Sequence, residues 1–140
     1  MSSYFEKNKS LYYDNLTLVR TKNDLKQWLK YFLVGVAETA DQAIHTLAAV
    51  IALKQKLETE INVQFGKKIN KSHLLLQHLF VKPVIYVKQV QTITKISYKS
   101  ANELVTDFVN AGILVETTGQ SRNRMFIFQE YIQLFYDHEK

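Results

Sequence analysis

Ser97-Tyr98-Lys99-Ser100-Ala101-Asn102-Glu103-Leu104-Val105-Thr106-Asp107-Phe108-Val109-Asn110-Ala111-Gly112-Ile113-Leu114-Val115-Glu116-Thr117 is the stretch whose reading decides the fold. Ala101, Leu104, Val105, Phe108 and Val109 recur at spacings of three and four, so they form one apolar face of a helix. Ser97 stands where an N-cap hydroxyl accepts a hydrogen bond from a free N–H of the first turn. Ala111-Gly112 ends the helix, and Ile113 to Thr117 is a β-branched, strand-like run. A second such run, Arg124 to Phe128, follows the polar loop Thr118-Gly119-Gln120-Ser121-Arg122-Asn123, which predicts an antiparallel hairpin. Burying the apolar face of the helix leaves Tyr98, Lys99, Asn102, Glu103 and Thr106 for solvent or a ligand.

The residues before this stretch extend the pattern. Leu74, Leu75, Leu76, Leu79 and Phe80 predict a helix capped by Ser72 and ended by Pro83. Val84 to Val87 is long enough for a short strand, and Val87, Val90 and Ile93 repeat at intervals of three, as in a second short helix. Thr94-Lys95-Ile96-Ser97 reads as a tight turn, with Lys95 at a place that often holds Gly. Helix, short strand, helix, turn, helix and hairpin is the order of a winged helix-turn-helix. Glu130 to Tyr136 predicts a closing helix.

The first 66 residues read as helical throughout. Phe5, Tyr12, Leu16 and Val19 share one face of a helix over 4–20. Asn23 or Asp24 caps a second helix whose stripe is Leu25, Trp28, Leu29, Phe32, Leu33 and Val36. Gly35, near its end, marks a kink or a close helix approach. A third helix over 39–65 carries Ala40, Ala43, Ile44, Leu47, Val50, Ile51, Leu53, Leu57, Ile61 and Phe65. Gly66 is its natural stop, and Lys67-Lys68-Ile69-Asn70-Lys71 reads as a basic linker. The expected fold class is mainly α with a small β-hairpin: a helical segment at 1–66 followed by a winged helix-turn-helix domain at 67–140.

Charge is distributed unevenly. Residues 1–66 hold eight Lys/Arg against seven Asp/Glu, residues 67–128 nine against three, and residues 129–140 one against three. The basic excess coincides with the second domain and suits an anionic partner. Lys99 at a helix N-terminus and Asn102 match guanine or phosphate and adenine respectively. Gln120, Arg122 and Arg124, with Ser121 and Asn123, suit phosphate or a narrow minor groove. The candidate DNA-binding residues are therefore Tyr98, Lys99, Asn102, Gln120, Arg122 and Arg124. Lys and Asn on such a face are also ordinary solvated residues, and Glu103 and Asp107 repel phosphate.

Several classes are excluded or disfavoured. The chain has no cysteine, which removes disulfide scaffolds, thiol nucleophiles and Cys-based metal sites. His45, His73, His78 and His138 form no metal-ligand spacing. Gly35, Gly66, Gly112 and Gly119 lie too far apart for a phosphate-cradling Gly-x-Gly loop. No catalytic, cofactor or metal site is expected. The longest apolar run, Leu47 to Leu53, is well short of the roughly 20 residues of a membrane helix, and the N-terminal residues show no signal pattern. The expectation is a cytoplasmic chain without a membrane partner.

The strings Leu11-Tyr12-Tyr13-Asp14 and Trp28-Leu29-Lys30-Tyr31-Phe32-Leu33-Val34-Gly35-Val36-Ala37-Glu38-Thr39-Ala40 resemble the C-terminal helical part of Fic-family proteins, named for filamentation induced by cyclic AMP. In many of them a winged helix follows. The run 111–126, with Gly112-Ile113-Leu114 and Arg122-Asn123-Arg124, is similar to that family's strand–wing–strand segment. Fic enzymes transfer AMP from ATP to a protein hydroxyl through a His-Pro-Phe-x-x-Gly-Asn-Gly-Arg loop. Pro83 is the single proline here and no Gly-x-Gly occurs, so that loop is absent and no catalytic residue carries over. The resemblance implies a non-catalytic C-terminal piece of a longer Fic-type AMP transferase. Its expected partners are the family's catalytic domain, double-stranded DNA and a second copy of the chain. The competing reading is a protein-interaction or dimerisation module with an exposed aromatic face over residues 4–32.

Overall fold

Thirteen of the residues assigned above to apolar helix faces after Gly66 or to the third helix end up in one core, and the elements follow from that burial. The computed structural model describes residues 1–120 and 122–136. The chain is mainly helical with a small antiparallel sheet: α1 Ser2–Lys7, α2 Lys9–Lys22, α3 Leu25–Gln64, a 3-10 turn Gly66–Lys68, α4 Ile69–Val81, β1 Val84–Tyr86, α5 Val87–Thr94, α6 Tyr98–Asn110, β2 Val115–Glu116, β3 Met125–Ile127 and α7 Gln129–Tyr136. It divides into two compact units, Met1–Ala48 and the residues from Ala49 onward.

The first unit is built on rings. Tyr4, Phe5, Tyr12, Trp28 and Tyr31 pack with centroids 5.2–6.1 Å apart, in tilted and edge-on pairs that suit aromatic quadrupoles. The aromatic face expected to be exposed is thus largely consumed internally, and Tyr31 is buried. The single helix expected over 4–20 breaks at Asn8, whose φ of −108° and ψ of 35° are not helical. That break lets Phe5 pack against both Tyr12 and Tyr31. Conversely, the two helices expected on either side of residue 37 are one continuous helix. Gly35 neither kinks nor ends it: a Cβ there would meet the Tyr4 ring at 2.6 Å, so Gly35 permits close approach of α1. Asn23 takes the left-handed conformation after α2, and Asp24 Oδ1 accepts from Gln27 N at 3.0 Å, opening α3.

In the second unit Leu53, Leu57 and Ile61 of α3, with Phe65 just after it, share a core with Leu75, Leu79, Ile85, Val90, Leu104, Phe108, Ile113, Phe126 and Phe128. Burial of each large apolar side chain contributes about 1.5–3 kcal/mol. Because these α3 residues are needed there, the units part at Ala48/Ala49, inside α3, whereas the sequence suggests a boundary at Gly66/Lys67. Nor is 67–71 a linker. Gly66, at φ +49°, turns the chain straight into the 3-10 turn, and α4 begins at Ile69. Ser72, expected as N-cap, lies buried inside α4 and donates to Lys68 O at 2.9 Å.

The hairpin becomes a three-stranded sheet of order β1-β3-β2. Ile127 pairs with both Val84 and Val115, and Phe126 with both Ile85 and Glu116. The predicted strands are longer than the observed ones. Thr117 N still donates to Met125 O at 3.0 Å as a backbone pair, while Met125 N donates to the side-chain Oγ1 of Thr118 at 3.3 Å, so a side chain takes over from the ladder towards the tip. Ser97 caps α6 as expected, accepting from Ser100 N at 3.1 Å. Lys95 adopts φ 53°, ψ 45°, a left-handed conformation that costs a side-chain-bearing residue roughly 1–2 kcal/mol.

Two predictions follow from these local costs. Lys95→Gly relieves the left-handed strain at a modest cost in unfolded-state entropy, so chemical denaturation should show about 0.5–1 kcal/mol of added stability. The Tyr31 hydroxyl is buried without a hydrogen-bond partner among the described residues, and burial, with smaller contributions from Tyr4 and Tyr12, pushes its pKa up from 10.0. The folded state therefore holds this proton more tightly than the unfolded state. Its stabilising effect is complete below pH 10 and declines as pH rises from there through the folded-state pKa. Melting temperatures measured from pH 8 to 11 should fall at the alkaline end, and Tyr31→Phe should flatten that fall with little loss at neutral pH.

Candidate nucleic-acid interface

The turn through Lys95 positions α6 so that its apolar face enters the core while Tyr98, Lys99 and Asn102 stand at its outer N-terminal end. Tyr98 and Lys99 are exposed and Asn102 is half-buried. Beside them runs a cleft of about 1050 Å³ between α6, the start of α5 and the β2–β3 loop. Tyr98, Asn102, Gln120 and Arg124 line it, so the structure brings together four of the six sequence-selected residues. Lys99 and Arg122 are exposed but do not line the cleft. Ser121 lies outside the described residues.

Arg124 is engaged by partners within the fold. Its guanidinium donates to Asn102 Oδ1 at 2.5 Å, reaches Glu116 Oε2 at 3.5 Å, and lies 5.4 Å from the centre of the Phe126 ring. A planar fork with several donors can hold two acceptors on different elements at once. Arg124 therefore braces the β2–β3 loop against α6 and occupies the acceptor oxygen of Asn102. The amide group of Asn102 is correspondingly fixed in orientation, with its nitrogen available as a donor.

The other wall of the cleft was not singled out from sequence. Tyr86, Lys88 and Gln89 contribute to it from the β1–α5 junction. Gln89 Oε1 accepts from Tyr86 N at 2.9 Å, closing the first turn of α5, and the Tyr86 hydroxyl contacts Met125 Sδ at 3.4 Å. The legible signal was a Gln three residues after the strand end, the reciprocal half of a capping box. Tyr86-Val87-Lys88-Gln89 thus marks a helix start at which a basic residue sits next to free N–H groups.

Charges that oppose phosphate are partly offset. Asp107 receives Lys68 Nζ at 2.6 Å, and Glu116 faces Arg124. Lys71 Nζ donates to Thr94 O at 2.8 Å at the C-terminus of α5, where a cation complements the helix dipole. Among the described residues no group of three His, Asp or Glu side chains gathers to hold a metal ion. His73 Nε2 lies 2.8 Å from Asn62 Oδ1. His138 lies outside the described residues. No helix among them is long and apolar enough to cross a membrane.

No family model matches the chain, and no curated protein matches it significantly in sequence.

The brace gives a direct test. Its ion pair is about a third exposed, so Arg124→Ala should cost only about 1 kcal/mol or less in global stability. The same change should raise amide exchange across residues 115–127 and change the Asn102 side-chain amide signals in nitrogen-15 spectra. Arg124→Lys should not restore either, because one ammonium does not span both acceptors.

Proposed function

We propose that residues 67–140 act as a winged helix-turn-helix that binds double-stranded DNA in a regulatory role, within the non-catalytic C-terminal region of a Fic-type AMP transferase. The observation that carries the DNA reading is the polar, partly basic cleft between the N-terminus of α6 and the braced β2–β3 loop. α6 presents Tyr98, Lys99 and Asn102 from its first turns, the part of a recognition helix that meets base edges. Lys88, Lys99 and Arg122 are exposed around that surface and suited to phosphate. Gln120 on the loop adds a further donor and acceptor. Arg124 supports the surface from within: it holds the loop and presets Asn102.

The Fic-type reading rests on the resemblance of the quoted strings. Within them Tyr12, Trp28 and Tyr31 are the residues that build the aromatic cluster of the first unit. The chain itself supplies no nucleotide-cradling loop, so labelled ATP should leave no AMP on any protein incubated with it.

Fluorescence anisotropy with duplex DNA over a range of salt concentrations tests the DNA reading. Lys99→Ala and Arg122→Ala should each reduce the slope of log affinity against log salt by about one. Asn102→Ala should cost about 1–3 kcal/mol on a preferred site and relax sequence preference there. Absence of binding to mixed-sequence duplex at low salt would sink the proposal.

A further inference from the structure

Asn102 meets the cleft with only one half of its amide free. Arg124 Nη2 donates to Asn102 Oδ1 at 2.5 Å, and among the described residues nothing engages Asn102 Nδ2. The guanidinium is itself held from three sides. Besides this oxygen it has Glu116 Oε2 at 3.5 Å from Nη1 and the Phe126 ring centre at 5.4 Å from Cζ. Asn102 and Arg124 both line the cleft. The amide is therefore oriented before any ligand arrives, with its oxygen towards Arg124 and its nitrogen free to donate.

That orientation decides what a base edge must offer. A free asparagine matches adenine, whose major-groove edge carries the N7 acceptor beside the N6 amino donor. The match uses the amide nitrogen and oxygen together. Here the oxygen already accepts from a cation, and charge-assisted hydrogen bonds are roughly twice as strong as neutral ones. An adenine amino group brought to the same oxygen would set its positive hydrogens beside the guanidinium. The nitrogen is affected in the opposite sense. Electron density drawn towards the oxygen polarises its N–H bonds and strengthens them as donors. They call for acceptors. Guanine offers two side by side, N7 and O6, whereas thymine offers only O4 beside a methyl group.

Building on the DNA reading of the cleft, we infer that Arg124 makes Asn102 a reader of guanine instead of adenine. Arg124 is then a positioning residue for base choice. It sets specificity through the asparagine and needs no contact of its own with the base.

Selection from a random duplex library, followed by anisotropy on the selected site, tests this. The position read by Asn102 is the one at which Asn102→Ala loses its preference. There the unaltered chain should bind guanine about 10-fold more tightly than adenine. Replacing that guanine by 7-deazaguanine, which lacks the N7 acceptor, should weaken binding by about 5-fold. Arg124→Ala frees the oxygen, so preference at this position should pass to adenine, a reversal that loosening of the loop alone would not produce. Arg124→Met, which keeps an apolar stem for Phe126 and has no donor, should show the same reversal. The 7-deazaguanine comparison uses the unaltered chain and so stands whether or not the variants fold. Adenine preference in the unaltered chain would overturn the inference while leaving the DNA reading intact. So would equal binding of guanine and 7-deazaguanine, guanine preference unchanged in both Arg124 variants, or no position at which Asn102→Ala alters preference. Failure to bind any duplex at low salt would instead remove the DNA reading, and this inference with it.

Discussion

Phe65 meets Phe108 edge-on, with ring centroids 5.2 Å apart and planes at 72°, and the second unit depends on that contact. Phe65 directly follows the long α3, and Phe108 is fully buried within α6. Fixing one against the other sets the rotation of α6 about its own axis. Because 3.6 residues make a turn, burying Ala101, Leu104, Val105 and Phe108 obliges Tyr98, Lys99 and Asn102 to lie at the other side. The surface proposed to read DNA is thus a consequence of core packing, and it needs no separate device to expose it. Gly66 contributes by reversing the chain at once, so that α4 can pack into the same core.

Much of the second unit was legible because its signals agree with one another. Ser97 caps, Ala101 to Val109 repeat at helical spacing, and two strand-like runs flank a polar loop. Local preference and burial point to one answer there, as consistent sequences do. The first unit was harder. An apolar period in α3 states that a face is apolar, but it does not say whether that face enters a core or remains exposed. Leu53 and Leu57 are buried while Leu47 and Ile51 are exposed, because the two residues from Ile51 to Leu53 turn the helix by roughly 200° and put the buried stripe on another face, and the apolar content alone does not say which stripe is covered. Gly35 was ambiguous for the same reason: only the Tyr4 ring above it distinguishes close approach from a kink. The break at Asn8 left no mark in the apolar spacing at all.

The candidate site shows a similar limit. Sequence placed Arg124 among ligand contacts because a guanidinium on a loop suits phosphate. Its partners, Asn102 and Glu116, lie on separate elements, and the register of β2 against β3 is what brings Glu116 within reach. Lys68 and Lys71 were likewise counted towards a free basic excess, yet each has an acceptor in the fold, Asp107 and the Thr94 carbonyl. Net charge therefore overstated the cationic surface. Lys88, Lys99 and Arg122 remain exposed around the cleft, and the first two sit in the first turns of α5 and α6, where the helix N-termini add positive potential.

The two units use α3 in opposite ways, and this explains its length. A helix that only completed the second core would need Ala49 to Phe65, and one that only held the aromatic cluster would stop near Thr39. The intervening residues 40–48 hold three alanines with Ile44 and Leu47 exposed, and no aromatic. An isolated helical segment gains little from propensity in water, and its apolar side chains gain nothing while exposed.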